Sequence, residues 1–238
     1  MTKIKLAKWV ADKLVESGIT DAFMLTGGGA MHLNHAIGTD PRLKTTFMHH
    51  EQALAMAGEA YYRLTNRLAL VNVTSGPGGT NAITGVYGAF VDSMGMLVIS
   101  GQVKIETTVR FTGLPLRQYG DQELDIEQLV KPITKYVTMV TDPQSIRYHL
   151  EKALYLAANG RPGPCWLDIP LDVQAAMIDP ETLEGFDPAE LEEPWKATDV
   201  DSAAREVLAK LREAERPVIF AGSGIRLSGQ HAAFLALA

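Results

Sequence analysis

Cysteine occurs once in this chain, at Cys165. A single thiol excludes an internal disulfide framework and fits a reducing compartment. Long apolar runs are also missing. None is long enough to span a bilayer, and the N-terminus lacks the apolar core of a signal peptide. The cytoplasm is therefore the expected location. Basic residues are outnumbered, 22 against 28 acidic, for a net charge of −6, and they form no cluster. This balance argues against a nucleic-acid or anionic-membrane partner. There is no internal repeat and no low-complexity tract. What is present is globular: 46% hydrophobic and 21% charged residues over 238 positions. That length allows one large domain, or one domain and part of another.

Apolar strands alternate with helical patterns along most of the chain. Residues 4–17 read as a helix with Leu6, Trp9, Val10 and Leu14 on one face. Strands are expected at 22–25, 43–48, 68–73, 96–100, 134–140 and 164–169. Helices are expected through 31–37, from the His49-His50-Glu51 start, at 80–90, 123–130 and 143–158. Residues 103–122 have no clear period and read as a long loop. Strands apolar on both faces, alternating with helices, indicate an α/β fold. The expected form is a mostly parallel sheet covered by helices on both faces, in a Rossmann-like three-layer arrangement. The first domain spans 1–175. Residues 176–198 are rich in Pro, Gly and acids, including Glu193-Pro194, and read as a surface linker. Residues 199–238 read as the incomplete start of a second α/β domain: a helix at 201–214, a strand at 217–221, then a helix from 228.

In a parallel sheet, ligands bind outside the carboxyl ends of the strands. Three segments follow strands and share that edge: Thr26-Gly27-Gly28-Gly29, His49-His50-Glu51, and Thr74-Ser75-Gly76-Pro77-Gly78-Gly79. Glu51 heads a helix of small residues. One reading is a carboxylate favoured by the helix dipole. The other is a desolvated carboxylate suited to proton transfer. The Gly76–Gly79 turn is no Walker loop, for no Gly-Lys-Ser/Thr follows it. It also breaks the dinucleotide fingerprint, which would need glycine where Asn81 stands, and this disfavours a nicotinamide dehydrogenase. It is either a tight turn or a place where backbone approaches a ligand. Gly222-Ser223-Gly224 has the same two readings. His49 and His50 are adjacent on a strand end and point apart, and no third ligand has a telling spacing, so no metal site is expected from histidines. Cys165, beside Trp166, reads as inert core.

Taken together, the motifs resemble the thiamine-diphosphate-dependent enzymes of the acetolactate synthase, pyruvate oxidase and 2-keto-acid decarboxylase group. The matches are Gly27-Gly28-Gly29-Ala30, His50-Glu51-Gln52-Ala53, Val73 to Asn81, Gly101-Gln102-Val103, Gln122-Glu123-Leu124-Asp125-Ile126, Pro132-Ile133-Thr134-Lys135 and Gly160-Arg161-Pro162-Gly163-Pro164, running on to Asp168-Ile169-Pro170-Leu171-Asp172-Val173. The resemblance implies that 1–175 is a pyrimidine-binding domain. Glu51 would hydrogen-bond N1′ of the cofactor's aminopyrimidine and promote loss of the thiazolium C2 proton. Thr26, Gly27 and Gly28 would border the pyrimidine, and Thr74, Gly76, Pro77 and Asn81 would line the same pocket. Gln122 would reach the reacting centre from the partner subunit's side, and Lys135 would lie near the substrate channel. Gly222 and Gly224 would approach a flavin (FAD), which some branches bind. The implied reaction is decarboxylation of a 2-keto acid such as pyruvate and transfer of the acyl unit to an acceptor, in a homodimer or homotetramer with sites between subunits.

Three departures stand out. The loop over 104–121 is longer than in typical acetolactate synthases, and Asp121 stands where those carry phenylalanine. Both bear on the acceptor. The Gly-Asp-Gly…Asn segment that holds Mg²⁺ and the diphosphate in this group is also missing. The isolated chain is therefore expected to hold half a site and to be inactive. A naturally short docking subunit and a 2-keto-acid decarboxylase are the alternatives.

Overall fold

A computed structural model describes residues 3–191 and 199–238. The chain divides into two units, Met1–Pro188 and Ala189–Ala238.

In the first unit the elements run β1 (Ile4–Lys5), α1 (Leu6–Glu16), β2 (Asp21–Met24), α2 (Met31–Gly38), β3 (Lys44–Phe47), α3 (Glu51–Thr65), β4 (Leu70–Val73) and α4 (Pro77–Val91). They continue with β5 (Met96–Gln102), α5 (Val109–Thr112), α6 (Ile126–Val130), β6 (Tyr136–Met139), α7 (Ile146–Ala158), β7 (Pro164–Pro170), α8 (Leu171–Ala175) and β8 (Met177–Ile178). Six strands form one sheet in the order β3-β2-β4-β5-β7-β6, with every neighbouring pair parallel. The α/β sheet read from the sequence is thus the fold of this unit. The central strands β4, β5 and β7 are buried at every residue, as both-sided coverage requires.

Period 2 sorts the strand side chains between two layers. Leu70, Leu97, Ile99, Cys165, Leu167 and Ile169 join the core built with α1, α2, α7 and α8. Leu6, Trp9, Val10 and Leu14 of α1 are all buried in it. On the other face Gly58 of α3 lies against Val71 and Met96, and Gly79 of α4 against Ile126 and Trp166. The helices α3 and α4 come close together there: a Cβ on Gly85 would fall 2.6 Å from the Ala55 Cβ.

Four expectations change. First, α4 begins at Pro77 rather than 80, because proline is pre-set for a first helical position. Second, the 103–122 loop contains a 3₁₀ turn, Ile105–Thr107, and the short α5. Third, the linker does not begin at 176. Ile178 pairs antiparallel with Ile4, Leu183 is buried, and Phe186 packs on Tyr148 and Tyr155. Residues 192–198 of the expected linker, with Glu193-Pro194, lie outside the described residues.

The fourth change lies in the second unit. It comprises α9 (Val200–Glu213), α10 (Gly224–Leu227) and α11 (His231–Leu237). Asp199 caps α9 by accepting from the Ser202 N–H at 3.0 Å. The expected strand at 217–221 does not form. A strand needs a ladder partner, and no other strand occurs among the described residues of this unit. Val218 and Phe220 are accordingly exposed. No helix among the described residues is long and apolar enough to cross a membrane.

Candidate active site

Because β2, β3 and β4 are parallel neighbours, with Met24 beside both Phe47 and Asn72, their following loops leave the same edge. Thr74 is where the loops after β2 and β4 meet. Its Oγ1 accepts from the Gly29 N–H at 3.1 Å. A Cβ on Gly27 would fall 2.5 Å from the Thr74 side chain, and one on Gly78 would fall 2.8 Å from it. Only bare glycine lets two stretches of backbone crowd one threonine in this way. The glycine loop is tied down from beneath: Asn34 donates to the Gly27 carbonyl at 3.2 Å, and Gln174 to the Gly29 carbonyl at 2.7 Å.

Glu51 is the first residue of α3 and is only 8% exposed. His50 caps that helix, its Nδ1 accepting from the Gln52 N–H at 3.1 Å. One Glu51 oxygen, Oε2, accepts from Asn81 Nδ2 at 3.0 Å. The other, Oε1, faces the bare Cα of Gly78 and has no hydrogen-bond donor among the described residues. The site therefore presents a buried carboxylate, held at one oxygen and open at the other. Thr26, Gly28, Pro77 and Asn81 are exposed around it.

Gly76 has φ +53° and ψ −112°, and a Cβ there would fall 2.3 Å from the Gln122 carbonyl oxygen. Gln122 itself has φ +56°. The turn of Gln122 thus lies against the glycine turn of its own chain, where the resemblance had implied an approach from a partner subunit. Lys135 is not brought to this edge. It precedes β6 and so sits at the amino ends of the strands. Its ammonium donates to the carbonyls of Leu156 and Asn159 at the end of α7, the latter at 2.7 Å. Burial pulls its pKa below the usual lysine value, an effect that nearby Cys165 opposes. Gly222 and Gly224 belong to the second unit, where a Cβ on either would meet nothing within 4 Å and no strand precedes them. Cys165 is buried in β7, and burial pushes its thiol up to about 12.

One cluster was not singled out in the sequence. Ser100 and Gln102 of β5 and Asp168 of β7 are all buried. Ser100 donates to Asp168 Oδ1 at 2.6 Å, Gln102 donates to Oδ2 at 3.0 Å, and Trp166 donates to Ser100 at 2.8 Å. The available signal was polar residues two apart inside otherwise apolar strands, which places them on one face. Burial pushes the Asp168 carboxyl up to about 7, against the pull of the Ser100 and Gln102 donors; Asp125 adds to the rise and Arg110 opposes it. The unfolded carboxyl titrates near 3.8. Between those values the folded chain keeps a proton that the unfolded chain releases. Stability from this group is therefore present at low pH and lost as pH rises to about 7, at up to about 1.4 kcal/mol per pH unit. Asp168→Asn is expected to gain urea resistance relative to the parent chain between pH 5 and pH 7.5. Parallel pH profiles for the two would contradict this.

Residues 4–129 match the family model "Thiamine pyrophosphate enzyme, N-terminal TPP binding domain". The chain is 35% identical over 232 residues to acetolactate synthase 1, chloroplastic, of Zea mays, covering 92% of this chain and 34% of the relative. It is 34% identical over 235 residues to the acetolactate synthase large subunit of Lactococcus lactis, covering 96% and 39%. Against the isozyme 3 large subunit of Escherichia coli the identity is 31% over 238 residues, covering 97% and 39%. The chain thus spans between a third and two-fifths of the length of these relatives.

Proposed function

The chain belongs to the thiamine pyrophosphate enzyme family, through its N-terminal TPP-binding domain, and from that premise we propose that it is the pyrimidine-binding part of an acetolactate-synthase-like enzyme. In this reading the complete protein decarboxylates a 2-keto acid such as pyruvate and passes the acyl unit to an acceptor. The observation that carries it is Glu51: a buried carboxylate with Oε2 held by Asn81 and Oε1 open beside glycine backbone. Oε1 has no donor among the described residues and is free to accept one from a ligand. A ring nitrogen carrying a proton would satisfy it, and Gly28, exposed and with nothing within 4 Å of a Cβ, leaves the approach open. The residues present therefore fit an aminopyrimidine.

Thiamine diphosphate, when bound, supplies a nucleophilic carbon and an electron sink for the departing carbon dioxide. The chain's own residues do simpler work. Glu51 Oε1 takes and returns a proton on the pyrimidine. Asn81 fixes the carboxylate's rotation by holding Oε2. Thr74 locks the Gly27–Gly29 loop beside it through the Gly29 N–H. The Gln122 turn stands against Gly76. The 2-keto acid meets the assembled site at this edge, between subunits of a dimer or tetramer.

No group of three or more His, Cys, Asp or Glu side chains suited to a metal ion occurs among the described residues. The resemblance assigns Mg²⁺ and the diphosphate to another part of the complete protein. Gly222 and Gly224 offer no cradle for a flavin, for the backbone around them is open and no strand leads into the turn.

Two experiments test the reading. The complete protein, given pyruvate, thiamine diphosphate and Mg²⁺, is expected to release carbon dioxide and a carbon–carbon-joined product. Free acetaldehyde would move the assignment to a decarboxylase, and no consumption of any 2-keto acid would overturn it. Calorimetric titration of the 238-residue chain with thiamine diphosphate and Mg²⁺ is expected to show no saturable binding. Tight binding would instead support a self-sufficient module.

A further inference from the structure

We propose that Gln102, held by the buried Asp168, is a positioning residue that fixes the turn carrying Gln122 against the glycine turn at Gly76. Its carboxamide is fully used. One Nε2 hydrogen goes to Asp168 Oδ2 at 3.0 Å and the other to the Leu124 carbonyl at 2.8 Å, while Oε1 accepts from the Val103 N–H at 3.0 Å. Leu124 is two residues beyond Gln122, whose own carbonyl lies against Gly76. The turn is thus bracketed by a hydrogen bond on one side and close backbone packing on the other.

Neighbouring residues are held in their own ways, Glu123 by accepting from the Val109, Tyr119 and Gly120 N–H groups and Ile126 by burial, and Gln102 is what ties Leu124 itself to β5. A cavity of about 420 Å³, lined by Gln102, Leu124, Leu129 and Met139 among others, undercuts the loop there. The anchor itself is rigid. Asp168 is gripped by Ser100, which is gripped by Trp166, all within the register Ser100 to Asp168 of two central strands. A buried polar network with every donor used fixes one arrangement. Aimed at a loop carbonyl, this one fixes the loop as well as the core.

The loop anchor stands on geometry alone; its consequence for turnover rests on the thiamine-diphosphate reading. Tryptic cleavage after the exposed Arg117 reports the loop in the 238-residue chain. Gln102→Met keeps the shape and removes the bonds. Cleavage is expected to accelerate about tenfold, the factor that losing one or two hydrogen bonds gives. Asp168→Asn leaves an acceptor for Gln102, and cleavage should stay within about twofold of the parent chain. Should Gln102→Met fail to fold, Gln102→Asn, one methylene too short for Leu124, is expected to show the same acceleration. Unchanged cleavage in the folded variants overturns the proposal. In the complete protein, Gln102→Met should lower kcat without raising the KM for thiamine diphosphate, and the loss should vanish in a Gln122→Ala background. A loss that persists there overturns positioning through Gln122. A wild-type protein with no thiamine-diphosphate-dependent turnover would sink the functional reading, while the cleavage rates would still decide the anchor.

Discussion

Glu51→Gln in the complete protein is expected to lower kcat by about two to four orders of magnitude, the usual contribution of a positioned acid–base group, with the urea midpoint unchanged. The asymmetry follows from the surroundings of the side chain. Gln is isosteric, and its carbonyl oxygen can keep the bond from Asn81 Nδ2. The substitution removes a buried charge, so desolvation favours the variant, while the loss of a favourable charge at the α3 N-terminus costs about 0.3–1 kcal/mol. These effects oppose one another, and the fold keeps its stability. What disappears is the ability of Oε1 to take up a proton beside Gly78. Steady-state turnover at saturating 2-keto acid, with circular dichroism and urea unfolding in parallel, separates the two quantities. Glu51→Asp should fall between, because a shorter arm withdraws the carboxylate from both Asn81 and the open side. Undiminished turnover in Glu51→Gln would return Glu51 to the role of a helix-start carboxylate.

Much of this site could be read before the structure, and the reason is local. Parallel strands put their following loops on one edge, so three motifs 20 to 50 residues apart became one place without any contact being known. Side-chain period 2 likewise decides which face a strand residue takes. What escaped was non-local or required a partner. Ile4–Lys5 and Met177–Ile178 are two-residue strands too short for any pattern, and they exist only because the chain ends of the unit meet. The segment 217–221 has strand composition but no ladder partner among the described residues, so propensity alone does not make it a strand. Lys135 carried its expected role by motif alone, although its place before β6 assigns it to the opposite edge. Glu51 was ambiguous between helix start and proton carrier. Its burial and its single donor, Asn81, bear on that choice, and both arise from α4 crossing α3 through Gly85. Asp168 and Gln102 were quoted within motifs without any role, since a polar residue in a strand reveals its partner only when the neighbouring strand is known.

Gly76→Ala is expected to damage the fold severely for a single added carbon. The backbone at Gly76, φ +53° and ψ −112°, lies outside the small left-handed region open to L-residues. Holding alanine there costs about 1–3 kcal/mol. Its Cβ would also sit 2.3 Å from the Gln122 carbonyl oxygen, which is backbone and cannot swing aside. Overpacking of this kind adds about 1–3 kcal/mol. Against a typical total of about 5–15 kcal/mol, the combined loss is a large fraction of stability. Relief can come in one way short of unfolding: the Gln122 turn moves off, breaking the Gln102 bond to Leu124. Either route is measurable, as a lowered urea midpoint or as faster tryptic cleavage after Arg117. Gly28→Ala is the control, because a Cβ there meets nothing within 4 Å and the backbone is not left-handed. Its midpoint should stay within about 0.5 kcal/mol of the parent chain. Equal midpoints and equal cleavage for the two variants would mean that Gly76 only makes a turn, and that the position of Gln122 owes nothing to it.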